Sequence, residues 1–298
     1  MVSEIQLDIE QTEAGTSIYE FKNFNARANA IDFIDFHIID RIEGLTHHAG
    51  QNDELIKLKL RAERLKEKLE DVDTKMFRYM EQQISNSKHK KLVLRTIFEE
   101  FLRGFACEDE MPDSIGYDNL DVFLNKLLSA NAINETKKEL EPGMVFYQKT
   151  PAQIIVELSK KLSPGDVFFD IGCGVGQVAI LVNIISDAKA IGIEFEPSFC
   201  NYAKEVASKF DLANVEFINE DARKIDYSEG NIFYLYTPFI GKMLEDVLVL
   251  LEKVALSKPI KIFTYGPCST KIARHHWLSC INGNADNVNV LCEFRSLL

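Results

Sequence analysis

The chain has 298 residues, of which 46% are hydrophobic, 27% charged and 10% aromatic; this is the usage of an ordinary folded protein and excludes disordered and collagen-like classes. At about 100–200 residues per domain, the length predicts two structural units or one domain with a large extension. The 46 acidic and 34 basic residues leave a net charge of −12, which works against a broad hold on nucleic acid or anionic membrane.

The chain opens on MVSEIQLDIEQTEAG, an alternation of apolar and acidic residues with no basic start and no apolar core, so no signal peptide is expected. No apolar run approaches the ~20 residues of a membrane span. The six cysteines are scattered without a CxxC pair or metal-ligand spacing, which predicts reduced thiols and a cytoplasmic location.

From about Phe21 to Phe105 apolar residues recur at helical spacing. Leu58, Ala62, Leu65, Leu69, Val72, Met76 and Tyr79 form a heptad seam. It predicts either an antiparallel hairpin packed on Ile31, Ile34, Ile38, Ile42 and Leu45 or a dimeric coiled coil. The repeat lasts about three heptads, which favours the hairpin. A third helix is expected from Leu92 to Phe105. The acidic, turn-rich segment Cys107 to Gly116 reads as a hinge, and a short helix follows near Leu120 to Leu128.

After Pro142 short β-rich runs alternate with amphipathic helices, the signature of a parallel sheet in an α/β domain. Strands are expected at Val167–Ile171, Ala190–Glu194, Val215–Ile218, Ile232–Tyr236 and Ile260–Tyr265. His276–Ile281 and Val288–Phe294 form a terminal hairpin around NGNADN. The expected organisation is a helical unit over 1–110, a linker with a short helix over 111–145 and an α/β domain over 146–298.

The sharpest motif is VFFDIGCGVGQVAILV, a strand ending at Asp170, then Gly172, Gly174 and Gly176, then an apolar helix. Such a loop lets backbone approach a nucleotide-like ligand at a helix N-terminus. A dinucleotide fingerprint fits poorly: GVGQVA begins inside the turn, and Asp170 would set a carboxylate beside a pyrophosphate. S-adenosylmethionine carries an ammonium, a sulfonium and one carboxylate, and it suits Asp170. The next strand ends at Glu194, placed for ribose hydroxyls. The third is followed by Asp221 and Ala222, placed for an adenine edge through a carboxylate and a backbone N–H.

This pattern over Phe146 to Leu298 resembles the class I S-adenosylmethionine-dependent methyltransferases. The resemblance implies an α/β, Rossmann-like seven-strand domain with an N-terminal helical extension. DIGCGVGQV followed by IGIE looks like the Dot1-type lysine methyltransferases, where Gln177 would also face the cofactor. YQKTP (Tyr147 to Pro151) and YLYTPF (Tyr234 to Phe239) look like a bacterial group with a YxxTP lead-in and an LYNPF strand end. Thr237 stands where that group has asparagine, and the NNF and NPPY signatures of other methyltransferases are missing.

By this resemblance Asp170, Gly172, Cys173, Gly174, Gly176, Gln177, Glu194, Asp221 and Ala222 bind the cofactor, and Tyr147 and Thr150 close over its methionine end. Tyr236, Thr237, Pro238 and Phe239, together with Tyr147, shape the methyl-transfer site. Tyr236 also touches the cofactor, and an aromatic ring beside a sulfonium gains about 0.5–2 kcal/mol. Thr150 also reads as an N-cap with Pro151 at N1. Tyr147 or Tyr236 could take a proton from an amine through water. Cys173 reads as a small filler of the loop, and His47/His48 and His275/His276 as surface or hinge residues without metal-ligand geometry. The expectation is a methyltransferase for a protein lysine or a small molecule, with no membrane or nucleic-acid partner, as a monomer or a dimer through the helices. The alternatives are an NAD-dependent oxidoreductase and a non-catalytic S-adenosylmethionine-binding scaffold.

Overall fold

The structure is a computed structural model that describes residues 2–49, 53–105, 117–129 and 141–297. The hinge expected at Cys107 to Gly116, and residues 130–140 of the expected linker, lie outside them. The chain divides into two compact units, Met1–His89 with Thr96–Glu108, and Lys90–Arg95 with Asp109–Leu298.

In the first unit, Ile5 and Ile9 are fully buried four residues apart, and that pairing makes the opening segment a helix, α1 (Val2–Ala14). The alternation of apolar and acidic residues had concealed it. Helices α2 (Phe24–Phe33), α3 (Asp40–Ala49) and α4 (Asp53–Ser85) follow, and α5 (Lys90–Phe105) is divided between the units, with Lys90–Arg95 counted in the second. Between α2 and α3 lies a π turn, Ile34–Ile39. Steps of four residues drift around a helix of 3.6 residues per turn. The wider π turn offsets that drift and keeps Ile34, Ile38 and Ile42 in one core with Leu55, Leu58, Leu65 and Leu69.

The seam of α4 therefore faces helices of its own chain, but its register differs from the expected heptads. Beyond Leu69 the buried positions are Asp73, Met76, Met80 and Ile84, whereas Val72 is only half-buried and Tyr79 is exposed. A straight α-helix turns about 20° per heptad away from a 3.5-residue repeat, so the buried stripe moves to the next residue.

Asp73 is buried because Arg27, fully buried on α2, meets it. The guanidinium Nε donates to Asp73 Oδ1 at 2.6 Å, and Nη1 donates to the carbonyls of Ile18 at 3.0 Å and Glu20 at 2.9 Å. Nothing in the periodicity marks this pair, because its partners lie 46 residues apart.

The second unit carries helix α6 (Asn119–Leu127), helix α7 (Ala152–Ser159) and a seven-stranded sheet. Its strands are β1 (Val167–Ile171), β2 (Lys189–Glu194), β3 (Val215–Asn219), β4 (Ile232–Leu235), β5 (Lys261–Thr264), β6 (Leu278–Asn282) and β7 (Cys292–Ser296). Helices α8 (Gln177–Ser186), α9 (Pro197–Lys209), α10 (Lys242–Ala255) and α11 (Cys268–Ile272) lie between them. The order is β3-β2-β1-β4-β5-β7-β6; β1 to β5 run parallel, and β7 pairs antiparallel with both β5 and β6. β1, apolar but for Asp170, and β4 are buried on both faces, as a sheet covered by helices on each side requires.

Several strand ends depart from expectation by one to four residues, two of them with a visible cause. β4 stops at Leu235, before Tyr236, because Thr237 sits at φ +39° and breaks the extended run. β7 starts at Cys292, not Val288, because the Val288 carbonyl accepts from Gly266 N, which leaves a longer hairpin loop. The chain leaves β1 toward β2 and β3, then returns to place β4 on the other side of β1. An open α/β sheet forms its ligand crevice at such a reversal, outside the carboxyl ends of the strands. No helix among the described residues is long and apolar enough to cross a membrane.

The buried ion pair generates a prediction. Arg27→Ala or Asp73→Ala alone leaves an uncompensated buried charge and should cost about 3–5 kcal/mol, whereas Arg27→Met with Asp73→Leu should recover most of that loss. Urea unfolding followed by helical circular dichroism measures it; single variants within about 1 kcal/mol of the parent, on the scale where typical point changes fall, would contradict the pairing.

Candidate functional site

A cavity of about 470 Å³ opens where the sheet order predicts it, within the usual range for small-molecule sites. Its floor is the loop after β1. The amides of Gly172 and Cys173 both donate to the Ile193 carbonyl at 2.9 Å, and Gly176 N donates to Cys173 O at 2.9 Å. Gly174 has φ +54°, and a Cβ there would fall inside the ring of Tyr147. Gly172 has φ +79°, and a Cβ there would collide with Pro238. Both positions demand glycine for the conformation and for the approach of a distant segment. Gly176, also left-handed at φ +78°, packs under Phe217 and Ala203 and starts α8; neither it nor Gly174, which the Tyr147 ring covers, is among the residues lining the cavity.

Three carboxylates meet the cavity from three strand ends. Asp170 is buried, its Oδ2 has no hydrogen-bond partner among the described residues, and burial, aided by the Glu194 charge, pushes its carboxyl up to about 8 against the lowering effect of the Ala179 N–H. Glu194 accepts from Gly174 N at 2.8 Å through Oε2 and from Glu196 N at 2.7 Å through Oε1. Burial still raises its carboxyl, with those amides pulling the other way. Asp221 is gripped by Arg223, whose Nε lies 2.9 Å from Oδ1 and whose Nη2 lies 2.6 Å from Oδ2. That grip holds the Asp221 carboxyl below the usual range. Arg223 also reaches Glu141 at 2.9 Å.

The segment from Glu141 to Pro151 forms the opposite wall. Val145 N donates to Pro238 O and Ile240 N to Gly143 O, which fasten it to the chain beyond β4. Thr150 is buried with its hydroxyl 3.1 Å from that of Tyr234. This corrects its reading as a helix cap: Pro151 occupies the N-cap of α7, and Asp121 Oδ1 takes the Ala152 amide at 2.9 Å. Asp121 is itself part of a capping box with Asp118 at the start of α6, and burial pushes its carboxyl up to about 6.

The other expected residues are distributed as follows. Tyr147, Cys173, Gln177, Ala222, Tyr236, Thr237, Pro238 and Phe239 all line the cavity, with Glu196 and Glu220 beside them. Thr237 is a β-branched residue in the left-handed region, a conformation costing about 1–3 kcal/mol that clusters at functional sites. Its Oγ1 accepts from Cys268 N at 3.3 Å. The Cys173 thiol is buried and pushed well up, so it holds no reactive thiolate. Burial raises the phenols of Tyr147 and Tyr236 as well. Both therefore stay neutral at rest and can donate or accept a hydrogen bond.

Arg223, Asp121, Tyr234 and Phe199 escaped the sequence reading. Two had a signal: the DNLD capping box around Asp118 and Asp121, and the basic residue two places after Asp221. Tyr234 and Phe199 meet their partners, Thr150 and the Tyr147 ring, only through the fold. No group of three or more potential metal ligands occurs among the described residues.

Residues 162–239 match the family described as "Methyltransferase domain". A stretch of 125 residues is 28% identical to the ribosomal protein L11 methyltransferase of Clostridium botulinum (strain Eklund 17B / Type B), over 40% of this chain and 39% of that protein. The chain thus spans about two fifths of that curated relative. Among solved structures, an RNA methyltransferase from Salinibacter ruber in complex with S-adenosyl-L-homocysteine is similar at 20% identity and a TM-score of 0.37, covering 50% of this chain and 92% of that one. Precorrin-6y C5,15-methyltransferase from Geobacter metallireducens GS-15 is similar at 15% identity and a TM-score of 0.39, covering 52% and 93%. The stretch from residue 162 to residue 239, which contains the loop after β1 and the ends of β2, β3 and β4, is thus similar to a methyltransferase domain.

Proposed function

We propose that the chain binds S-adenosylmethionine in this cavity and transfers its methyl group to an acceptor. The observation that carries the reading is the buried Asp170 Oδ2 at the cavity wall, an acceptor without a donor among the described residues. A buried polar atom left unpaired is costly, and an ammonium is the group that satisfies a carboxylate best. The NAD-dependent reading is not favoured, since a pyrophosphate would meet the same carboxylate and no Lys, Arg or His among the described lining residues. Nothing in the cavity favours a purely non-catalytic scaffold.

In this reading Asp170 takes the ammonium and Glu194 the ribose hydroxyls. Each Glu194 oxygen is already oriented by one backbone amide and keeps lone pairs for a further donor. The Asp221 carboxylate is occupied by Arg223, so the adenine edge falls to backbone at Ala222, with Asp221 fixing the turn. Gly172, Cys173 and Gln177 supply the loop surface, and Tyr147 and Thr150 cover the methionine end. Tyr236, Thr237, Pro238 and Phe239 face the methyl-transfer side.

When bound, S-adenosylmethionine supplies a methyl group already activated by its sulfonium. The chain's task is to align the acceptor and exclude water, and orientation alone can supply up to roughly 7–11 kcal/mol. The acceptor is a protein lysine or a small molecule. The likeness of DIGCGVGQV and IGIE to Dot1-type enzymes supports an amine, the reduced thiols support a cytoplasmic setting, and the helical unit is a lid, substrate selector or dimer contact.

Calorimetry tests the reading. S-adenosylmethionine and S-adenosylhomocysteine should bind and NADH should not, and Glu194→Ala should weaken S-adenosylhomocysteine by about ten- to hundredfold through loss of charge-assisted hydrogen bonds. NADH binding without a response to S-adenosylhomocysteine would overturn it.

Affinity should also depend on pH. Asp170 faces Glu194, Tyr147, Tyr234, Cys173 and the Ala179 amide, and none of these is a cation. Its raised carboxyl is largely protonated below about 8, so binding an ammonium must release that proton. Affinity for S-adenosylhomocysteine should rise from pH 6 toward 8 by up to about tenfold per unit. Asp170→Asn should bind more weakly and lose that slope; a parent titration flat over this interval would remove Asp170 from the contact.

A further inference from the structure

The cavity wall contains five carboxylates, Asp170, Glu194, Glu196, Glu220 and Asp221, and no Lys, Arg or His among its described residues. Arg223 neutralises Asp221, and Lys224 lies 3.5 Å from Glu220. Bound S-adenosylmethionine, with two positive charges and one negative, would offset one more. The remaining field is negative, and it lies in a chain of net charge −12. Such a field concentrates cations and repels phosphates and carboxylates.

The methyl-transfer side is at the same time aromatic. Tyr236 and Tyr265 have ring centroids 5.0 Å apart at 48°. The phenols of Tyr236 and Tyr265 interact electrostatically with that of Tyr117, which in turn interacts with that of Tyr147. Tyr117 stands at the head of α6 and donates its hydroxyl to the Lys149 carbonyl. The Lys149 ammonium is turned to Asn125 at 2.9 Å, so the nearest lysine of the wall does not occupy the mouth. Tyr236 OH reaches Gln148 Oε1 at 3.5 Å, and Phe146 lines the rim 82% exposed. Faces of phenol rings attract cations, and neutral hydroxyls add oxygen acceptors for N–H donors.

We propose that the acceptor is an aliphatic amine, delivered as its ammonium through the mouth beside Tyr117 and Tyr236, with the buried Tyr265 ring supporting Tyr236 from behind. The proposal rests on the methyltransferase reading and names its substrate class. The ammonium sheds one proton to bulk water. The nitrogen lone pair then forms the new N–C bond, and the C–S bond breaks with its electron pair passing to sulfur, which leaves S-adenosylhomocysteine. Lysine side chains and free polyamines share this chemistry. An acidic, lysine-free wall is the wrong surface for a nucleic-acid backbone.

The test uses the full chain saturated with S-adenosylhomocysteine and titrates n-butylammonium, n-butyrate and a short oligoribonucleotide, followed by calorimetry. Butylammonium should bind at least about tenfold more tightly than butyrate, as expected where like charge is disfavoured. Tyr236→Leu should weaken butylammonium by about 2- to 30-fold, the range of one cation–π contact, and Tyr236→Phe should retain it within about twofold. Should Tyr236→Leu fail to fold, Tyr117→Leu at a 58% exposed position serves in its place; it should weaken butylammonium and leave S-adenosylhomocysteine affinity within about twofold. A lysine-containing peptide and spermidine, compared in the same titration and in methylation assays, assign the source of the amine. Preference for butyrate or the oligonucleotide, or wild-type butylammonium affinity in both leucine variants, overturns the proposal while the cofactor reading stands. Absence of S-adenosylhomocysteine binding overturns both.

Discussion

Gly174 has no side chain because the ring of Tyr147 occupies the place where one would be, and most of the site depends on that approach. The same glycine donates its amide to Glu194, whose second oxygen holds the Glu196 amide just before α9. One residue therefore joins the β1 loop, the end of β2 and the wall that starts at Glu141. Pro238 seated on Gly172 adds the end of β4 to the same assembly. A side chain at either glycine would separate these segments and displace the acids they position, so the alternating glycines act on the site mainly by letting protein approach protein.

The local signals in the sequence carry a defined distance. β1 was legible to the residue because VFFDI is bounded by turn residues on both sides and buried on both faces. Asp170, Glu194 and Asp221 were legible as a group because strand ends in a parallel sheet point the same way, so position in the chain becomes position in space. The cap at α7 was not. Thr150 before Pro151 satisfies the local rule for a helix start, yet its hydroxyl goes to Tyr234, 84 residues away, and Asp121 takes the amide instead. Arg223 and Glu141, 82 residues apart, fail for the same reason. The terminal hairpin was legible as a hairpin but not in its ends, since Val288 is bound to Gly266 across the loop.

The helical unit shows the same division between period and partner. Its apolar spacing predicts helices, but the drift of a straight helix brings Asp73 into the buried stripe of α4 and leaves Tyr79 outside, and Arg27 supplies the partner that buried Asp73 needs. A buried ion pair is weak evidence of stability, because desolvation can exceed the attraction. Here three of the guanidinium contacts go to Asp73 and to the carbonyls of Ile18 and Glu20, so the pair also satisfies carbonyls that close the turns before α2.

Charge and protonation at the cavity point to one mode of catalysis. Burial raises the carboxyls of Asp170 and Glu194 and the phenols of Tyr147, Tyr234 and Tyr236. Every one of those shifts favours the neutral form, whereas the carboxyls of Glu220 and Asp221 on the same wall are held low and stay charged. The same burial makes an arriving cation the means by which Asp170 becomes charged, since attraction at short range in a medium of low polarity exceeds that in water. A domain built in this way orders its ligand by supplying counter-charge only where a cation lies, and it leaves proton removal to solvent at the mouth. On the proposed reading, methyl transfer in such a site would come from alignment of the acceptor with an already activated carbon, which requires a rigid wall more than a reactive side chain. The fastened segment from Glu141 to Pro151, held by Arg223, Pro238 and Asp121, provides that wall.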